Sequence, residues 1–421
     1  MNSRERVRRA LEHAEPDRIP LDLGATPVTG MHVQSVYRLR QGLGLDPPGT
    51  PVKIVEPYQN LGEIAPDLAE ALGVDVVGVG SPRTMFGFPN EDWREWRAFD
   101  DTPVLVPAGY NTDPEPNGSV LMHPAGDRTA PPSGRMPAGG YYFDAIVRQP
   151  PLDEAKLRVE DNLEEFGPLS AADLAHFRRE VARIRATTDR AIVANFGGTA
   201  FGDIALVPAP WLKHPRGIRD IEEWYVSTVS RREHVREIFA RQCEIALANL
   251  ERAHAAVGED IDAVFLTGTD FGTQRGPFLS PRAFRDLYLP FQKRLNDWVH
   301  AHTTWKTFIH SCGSVAALLP EFVAAGFDIL NPVQWTAAEM DLAALKERFG
   351  DRLTFWGGGV DTQRTLSFAT PAEVRAQVRE CIALLGRNGG FVFNTIHNVQ
   401  PRVPPENLLA LYEAVQDHRG L

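Results

Sequence analysis

Thr307-Phe308-Ile309-His310-Ser311-Cys312-Gly313 reads as a short apolar strand running out into polar and glycine residues. Apolar side chains on successive rather than alternate positions suit a strand that is covered on both faces. Runs of the same kind recur at 18–23, 74–80, 191–196, 263–267, 329–333, 353–357 and 391–395, which with 307–310 makes eight. Most are separated by longer stretches whose apolar residues follow the spacing of a helix, as in Pro281-Arg282-Ala283-Phe284 and Thr370-Pro371-Ala372-Glu373-Val374. In the second, Thr370 is placed to cap the helix, with proline at its first position and Glu373 closing a capping box. Strands alternating with helices predict a parallel sheet, and eight such units predict one α/β domain over 1–421, a (β/α)8 TIM barrel.

One stretch breaks the alternation. Residues 93–151 are rich in Pro, Gly, Asp and aromatics and carry short runs such as Val104-Leu105-Val106 and Val120-Leu121-Met122. We read them as a small β insertion between the second and third barrel strands, either covering one mouth of the barrel or lying passively on its surface.

Composition narrows the function classes. An apolar fraction of 43% and a charged fraction of 24% are those of a folded globular protein. The 44 basic and 55 acidic residues leave a net charge of −11, which disfavours nucleic acid and anionic membranes as partners. Three cysteines are too few for a disulfide framework and fit a reducing compartment. With neither a signal-like apolar stretch nor a membrane span, the expectation is a cytoplasmic protein acting on a small molecule.

In such a barrel the chemistry sits where strands end and loops begin. That rule selects Asp22 and Gly24, Gly78 and Gly80, Asn195 and Gly197, Thr269 and Asp270, His310 and Cys312, Asn331 and Gln334, 357–361, and 394–397. His310 and Cys312 stand two apart in an extended segment, so both face the same side. Imidazole and thiolate together suit zinc, which in a catalytic site takes three protein ligands and keeps one position open. The third candidate is His397, after the eighth strand and across the mouth from the fifth; Asp270 is the fallback, as an oxygen ligand or as a hydrogen-bond partner of a ligand. A His-x-Cys pair also arises by chance, with the cysteine acting as a small buried apolar group. The glycines of Trp356-Gly357-Gly358-Gly359-Val360-Asp361 allow either backbone approach to a bulky ligand or a tight loop with positive φ. Asn195-Phe196-Gly197-Gly198-Thr199 leaves the same choice open.

Taken together, Asp270-Phe271-Gly272-Thr273-Gln274, His310-Ser311-Cys312-Gly313-Ser314, Asn331-Pro332-Val333-Gln334, 357–362 and Pro404-Pro405-Glu406-Asn407 resemble the uroporphyrinogen decarboxylase superfamily, as does the opening with Arg4-Glu5-Arg6-Val7 and Pro16-Asp17-Arg18-Ile19-Pro20. The resemblance runs over most of the chain and implies the same barrel. Decarboxylases of the superfamily carry an arginine-bearing loop after the first strand that holds the carboxylates of a tetrapyrrole. Here that loop reads Leu23-Gly24-Ala25-Thr26-Pro27-Val28-Thr29-Gly30, without arginine.

The other branch consists of zinc-dependent methyltransferases that pass a methyl group between a small, for instance methoxylated, substrate and a corrinoid carried on a partner protein. Their His-x-Cys pair matches His310 and Cys312. Their later cysteine does not match, and the corresponding strand end offers Asn394 and His397. The resemblance therefore implies a zinc site of His310, Cys312 and His397, or an altered or metal-free one, with Asp270 relaying a proton or orienting a metal-bound histidine. Phe196, Trp335 and Trp356 would line an apolar pocket, and Gln334, Gln363 and Asn394 would orient the substrate. The alternatives are a decarboxylase or lyase acting on something other than a porphyrinogen, and a barrel that binds a tetrapyrrole or corrinoid without turnover. A homodimer is compatible with any of them.

Overall fold

The computed structural model describes residues 1–417. Seven parallel strands pair in chain order, Val76–Val79, Ala191–Ala194, Ala263–Thr267, Lys306–His310, Ile329–Asn331, Thr354–Trp356 and Phe391–Val392. The gap between the last and the first is filled by residues 20–22. Leu21 bridges Phe393 in parallel, the Asp22 N–H reaches the Phe393 carbonyl at 2.9 Å, and the Asp75 N–H reaches the Leu21 carbonyl at 2.8 Å. This segment, the first stave in chain order, completes a TIM barrel of eight, and all eight staves stand where the apolar runs predict them.

Side chains alternate between two cores, as strand geometry requires. Val76, Ala191, Val193, Ala263, Phe265, Phe308, Ile329, Trp356 and Val392 fill the barrel interior. Their chain neighbours, among them Ile192, Ala194, Val264, Leu266, Ile309, Leu330 and Phe355, pack outward under the helices. The helix Ser3–Leu11 sends Val7, Ala10 and Leu11 into the interior cluster and plugs the N-terminal end. Asp75 and Asp262 anchor that plug. Asp75, fully buried, accepts from Ser3, Arg6, Arg18 and the Leu21 N–H; Asp262 accepts from Arg4, Arg8, Arg185 and the Ile192 N–H. The opposite, C-terminal end is left for chemistry.

The inserted segment supplies five short strands. Arg94–Arg97 and Pro103–Val106 form a hairpin that extends a sheet begun by Val52–Glu56 and Leu61–Gly62; Val120–Met122, Gly134–Met136 and Asp144–Ala145 form a second sheet. The strand Val52–Glu56 lies before the second stave, outside the segment read as β from the sequence. The insertion reaches the C-terminal end at two places. Tyr142 hydrogen-bonds Gln400 at 2.5 Å, and Arg148 donates to the carbonyls of Ala209 and Leu212. No helix among the described residues is long and apolar enough to cross a membrane.

His32 ties the insertion to the helix Val33–Gly42. Its Nδ1 caps that helix by accepting from the Gln34 N–H at 3.2 Å, and its Nε2 meets the Tyr141 carbonyl at 3.2 Å. Burial pushes its pKa down to about 4. Between that value and the 6.5 of an unfolded histidine the unfolded chain binds the extra proton, so stability is present above about pH 6.5 and is lost as the pH falls toward 4. Chemical denaturation across this window is expected to show His32→Asn, which keeps a capping oxygen and does not titrate, losing less stability than wild type by about 1.4 kcal/mol per pH unit. Parallel curves would contradict a neutral buried His32.

Candidate metal centre

One backbone carbonyl and one side-chain amide decide how His310 presents itself. The Trp356 carbonyl can only accept, and the Asn331 Nδ2 donates to it at 2.7 Å. That fixes the amide, so Asn331 Oδ1 faces His310 Nδ1, at 2.6 Å. Nδ1 must then carry the proton, and the lone pair resides on Nε2. Nε2 points at Cys312 Sγ, 3.3 Å away. The strand register that sets His310 beside Asn331 makes this arrangement.

His397 arrives from the loop after the eighth stave. Its ring lies 5.4 Å from that of His310, centroid to centroid, and one donor atom from each of His310, Cys312 and His397 falls within a common 4.8 Å. Burial, with His310 adding to it, holds His397 down to about 3, and burial likewise lowers His310. Both rings are neutral at physiological pH and offer lone pairs. Burial and the neighbouring charge of Asp270 raise the Cys312 thiol well above its usual range. A cation against Sγ would reverse that shift, because thiolate is then the favoured form. Two imidazole nitrogens and one sulfur converging on one point fit zinc, with one coordination position open. Cys243 and Cys381 are buried in helices elsewhere.

Asp270 holds the loop that bears the thiol. Its Oδ1 accepts the Cys312 N–H at 2.6 Å and lies 3.7 Å from His310 Nε2. Orientation of His310 through its second nitrogen, expected of Asp270, belongs instead to Asn331. Asn331→Ala is therefore expected to weaken zinc binding by about 10–100-fold in competition with a chromogenic chelator; unchanged affinity would mean that other contacts hold the ring.

The residues expected to bind substrate divide into several groups. Gln334 Oε1 accepts the Gly313 N–H at 2.7 Å and so fixes the loop beyond Cys312. Trp335, half-buried, donates from its indole to the Gly358 carbonyl at 2.8 Å. Asn394 is spent on scaffold, its Nδ2 reaching the carbonyls of Asp22 and Thr29. Gln363 is exposed, and its N–H is held by Asp361.

Two expectations are corrected. The Phe196 ring is turned outward and packs between Phe177 and Trp305 under the helices. Trp356 is fully buried inside the barrel against Phe308, its indole donating to Asp22 at 2.8 Å; burial pushes Asp22 up to about 6. The glycine turn after the seventh stave is tight because of its packing. A Cβ at Gly357 or Gly358 would stand 2.8 Å from the Thr395 or Val333 carbonyl, both at positive φ, and one at Gly359 would strike the Phe393 ring.

Two neighbours of Asp270 escaped the sequence reading. The Tyr225 hydroxyl donates to the Asp270 carbonyl at 3.3 Å, and Asp203, buried, is raised to about 7, mainly by burial and further by the charge of Asp270. Both lie on segments after the third stave, without the periodicity that marks strands.

Residues 204–418, just over half of the chain, match the family model described as uroporphyrinogen decarboxylase (URO-D). The chain belongs to the uroporphyrinogen decarboxylase family. Relatives bearing that name are found in Pelobacter propionicus, 26% identical over 62% of this chain and 67% of the relative, and in Trichodesmium erythraeum, 23% identical over 68% and 75%. A relative in Methylococcus capsulatus is 34% identical over 22% of this chain and 25% of its own length. The chain thus spans between a quarter and three quarters of these family members. A solved methyltransferase from Methanosarcina mazei shares the fold over 99% of both chains, with a TM-score of 0.55 and 15% identity.

Proposed function

We propose that this member of the family is an enzyme of methyl transfer, moving a methyl group between a small substrate and a corrinoid carried by a partner protein. The observation that carries the reading is the convergence of His310, Cys312 and His397. These three residues would hold zinc, which supplies Lewis acidity to the heteroatom bonded to the methyl group.

The chain's own groups prepare that site. Asn331 keeps His310 Nε2 unprotonated, and Asp270 and Gln334 hold the backbone on either side of Cys312. The solved methyltransferase of like fold agrees with this reading without deciding it.

The names of the sequence relatives favour a second reading, decarboxylation. The charges at the mouth speak against a polycarboxylate substrate. The loop 23–30 carries no arginine, and its Ala25 carbonyl is pressed so closely over Gly78 that a Cβ there would lie 2.0 Å away. Asp270 and, in its charged form, Asp203 bring negative charge to the same end. Desolvating further carboxylates beside them without paired cations would cost several kcal/mol each.

The test incubates the zinc-supplied protein with reduced corrinoid protein and methoxylated aromatics, and follows the demethylated product by mass spectrometry. Product that depends on both zinc and corrinoid is expected. Release of carbon dioxide from a carboxylated substrate by metal-free protein would overturn the reading.

A further inference from the structure

We propose that Asp203 sets substrate choice at this mouth, its Oδ2 accepting a hydrogen bond from an O–H or N–H donor that the substrate carries apart from its methyl-bearing group. The inference rests on the methyl-transfer reading for its choice of probes.

The turn that begins at Asp203 uses the rest of the residue. Its carbonyl accepts the N–H groups of Leu206 and Val207 at 2.8 and 2.9 Å, and Oδ1 accepts that of Ala205 at 3.0 Å. Oδ2 receives no hydrogen bond from any described residue, although the residue is only 7% exposed.

The position of Oδ2 says where such a donor would come from. A Cβ placed on Gly268 would sit 3.1 Å from Oδ2 and 3.4 Å from the Phe265 ring. Phe265 belongs to the barrel interior, and Gly268 opens the loop that carries Asp270. Oδ2 therefore stands at the top of the barrel, beside an aromatic ring. At Gly197 and Gly198, on the same connection as Asp203, an added Cβ would meet open space.

The chemistry selected is a small, neutral or cationic molecule with an apolar body and one hydrogen-bond donor. Carboxylate-bearing molecules are disfavoured by Asp203 and Asp270 together. The carboxyl of Asp203, raised to about 7, exchanges between charged and neutral forms near physiological pH, and in either form one oxygen accepts.

Isothermal titration calorimetry on the full chain tests this with 3-methoxyphenol and 1,3-dimethoxybenzene. The two differ by one methyl on the distal oxygen, and the hydroxyl of the first is too far from its own methoxy group to bond it. Wild type is expected to bind the phenol about tenfold more tightly, the size of one hydrogen bond to a charged group. Asp203→Ala should bind both alike, and Asp203→Asn, which keeps a carbonyl acceptor, should lie between. The ratio of the two affinities is the readout, because a merely structural loss would weaken both ligands together. Equal binding by wild type, a ratio unchanged in Asp203→Ala, or binding of neither probe would overturn the proposal. Repeating the titrations on metal-free protein separates this failure from failure of the zinc reading, since Asp203 is not among the metal donors.

Discussion

Asp75→Ala is expected to lower the stability of the whole barrel by about 3–5 kcal/mol, the cost of breaking a buried ion pair from one side. Asp75 is fully buried beneath the second stave and is the meeting point of the N-terminal plug. Arg6 Nη1 reaches it at 2.7 Å, Arg18 Nη2 at 2.8 Å, Ser3 Oγ at 2.8 Å and the Leu21 N–H at 2.9 Å. Removing the carboxylate leaves the buried Arg6 guanidinium without one of its two carboxylate partners and frees the stave that closes the barrel. An exposed helical pair such as Lys293 with Asp297 is worth well under 1 kcal/mol, so Asp297→Ala serves as the control. Urea denaturation followed by far-UV circular dichroism reads both. A loss below about 1 kcal/mol for Asp75→Ala would contradict the anchoring role.

The second large effect is on metal. Cys312→Ala is expected to cut zinc affinity by more than the roughly 10–100-fold that an outer partner of a ligand is worth, since it removes a ligand itself. It takes away the one thiolate, leaving two neutral imidazoles. Asp270 remains within 3.7 Å of His310 Nε2 but is held by the Cys312 N–H, a backbone bond the substitution keeps. Cys312→Ser, with a poorer donor in the same place, should bind zinc more weakly than wild type. Cys381→Ala, far from the site in a helix, should bind like wild type. Equal affinity in Cys312→Ala and Cys381→Ala would remove Cys312 from the ligand set.

The barrel was legible because most of its staves are nearly continuous apolar runs, bounded by turn residues and alternating with helical stretches, as doubly covered parallel strands are. Val52–Glu56 was not, because it lies between two prolines and pairs with Pro103–Val106 far along the chain. Strand parity makes His310 and Cys312 readable as a pair. The same parity bears on Phe196: Ala191 and Val193 face inward, so Ala194 and Phe196 face the helices. Trp356 does face inward, yet a layer too deep to line a mouth, pinned by Asp22. Asn331 stands at a strand end visible in the sequence, whereas its task depends on its register with His310. Asp203 gives no local signal, since its meaning comes from Gly268 and Asp270 on another loop.

The most direct test of the zinc centre is elemental analysis of the purified protein after zinc is supplied and excess removed, beside His310→Ala, Cys312→Ala and His397→Ala. About one zinc per chain in wild type, lost in each of the three variants, is the predicted result. A wild type that takes up no zinc, or variants that keep it, would contradict a metal centre built on these three residues.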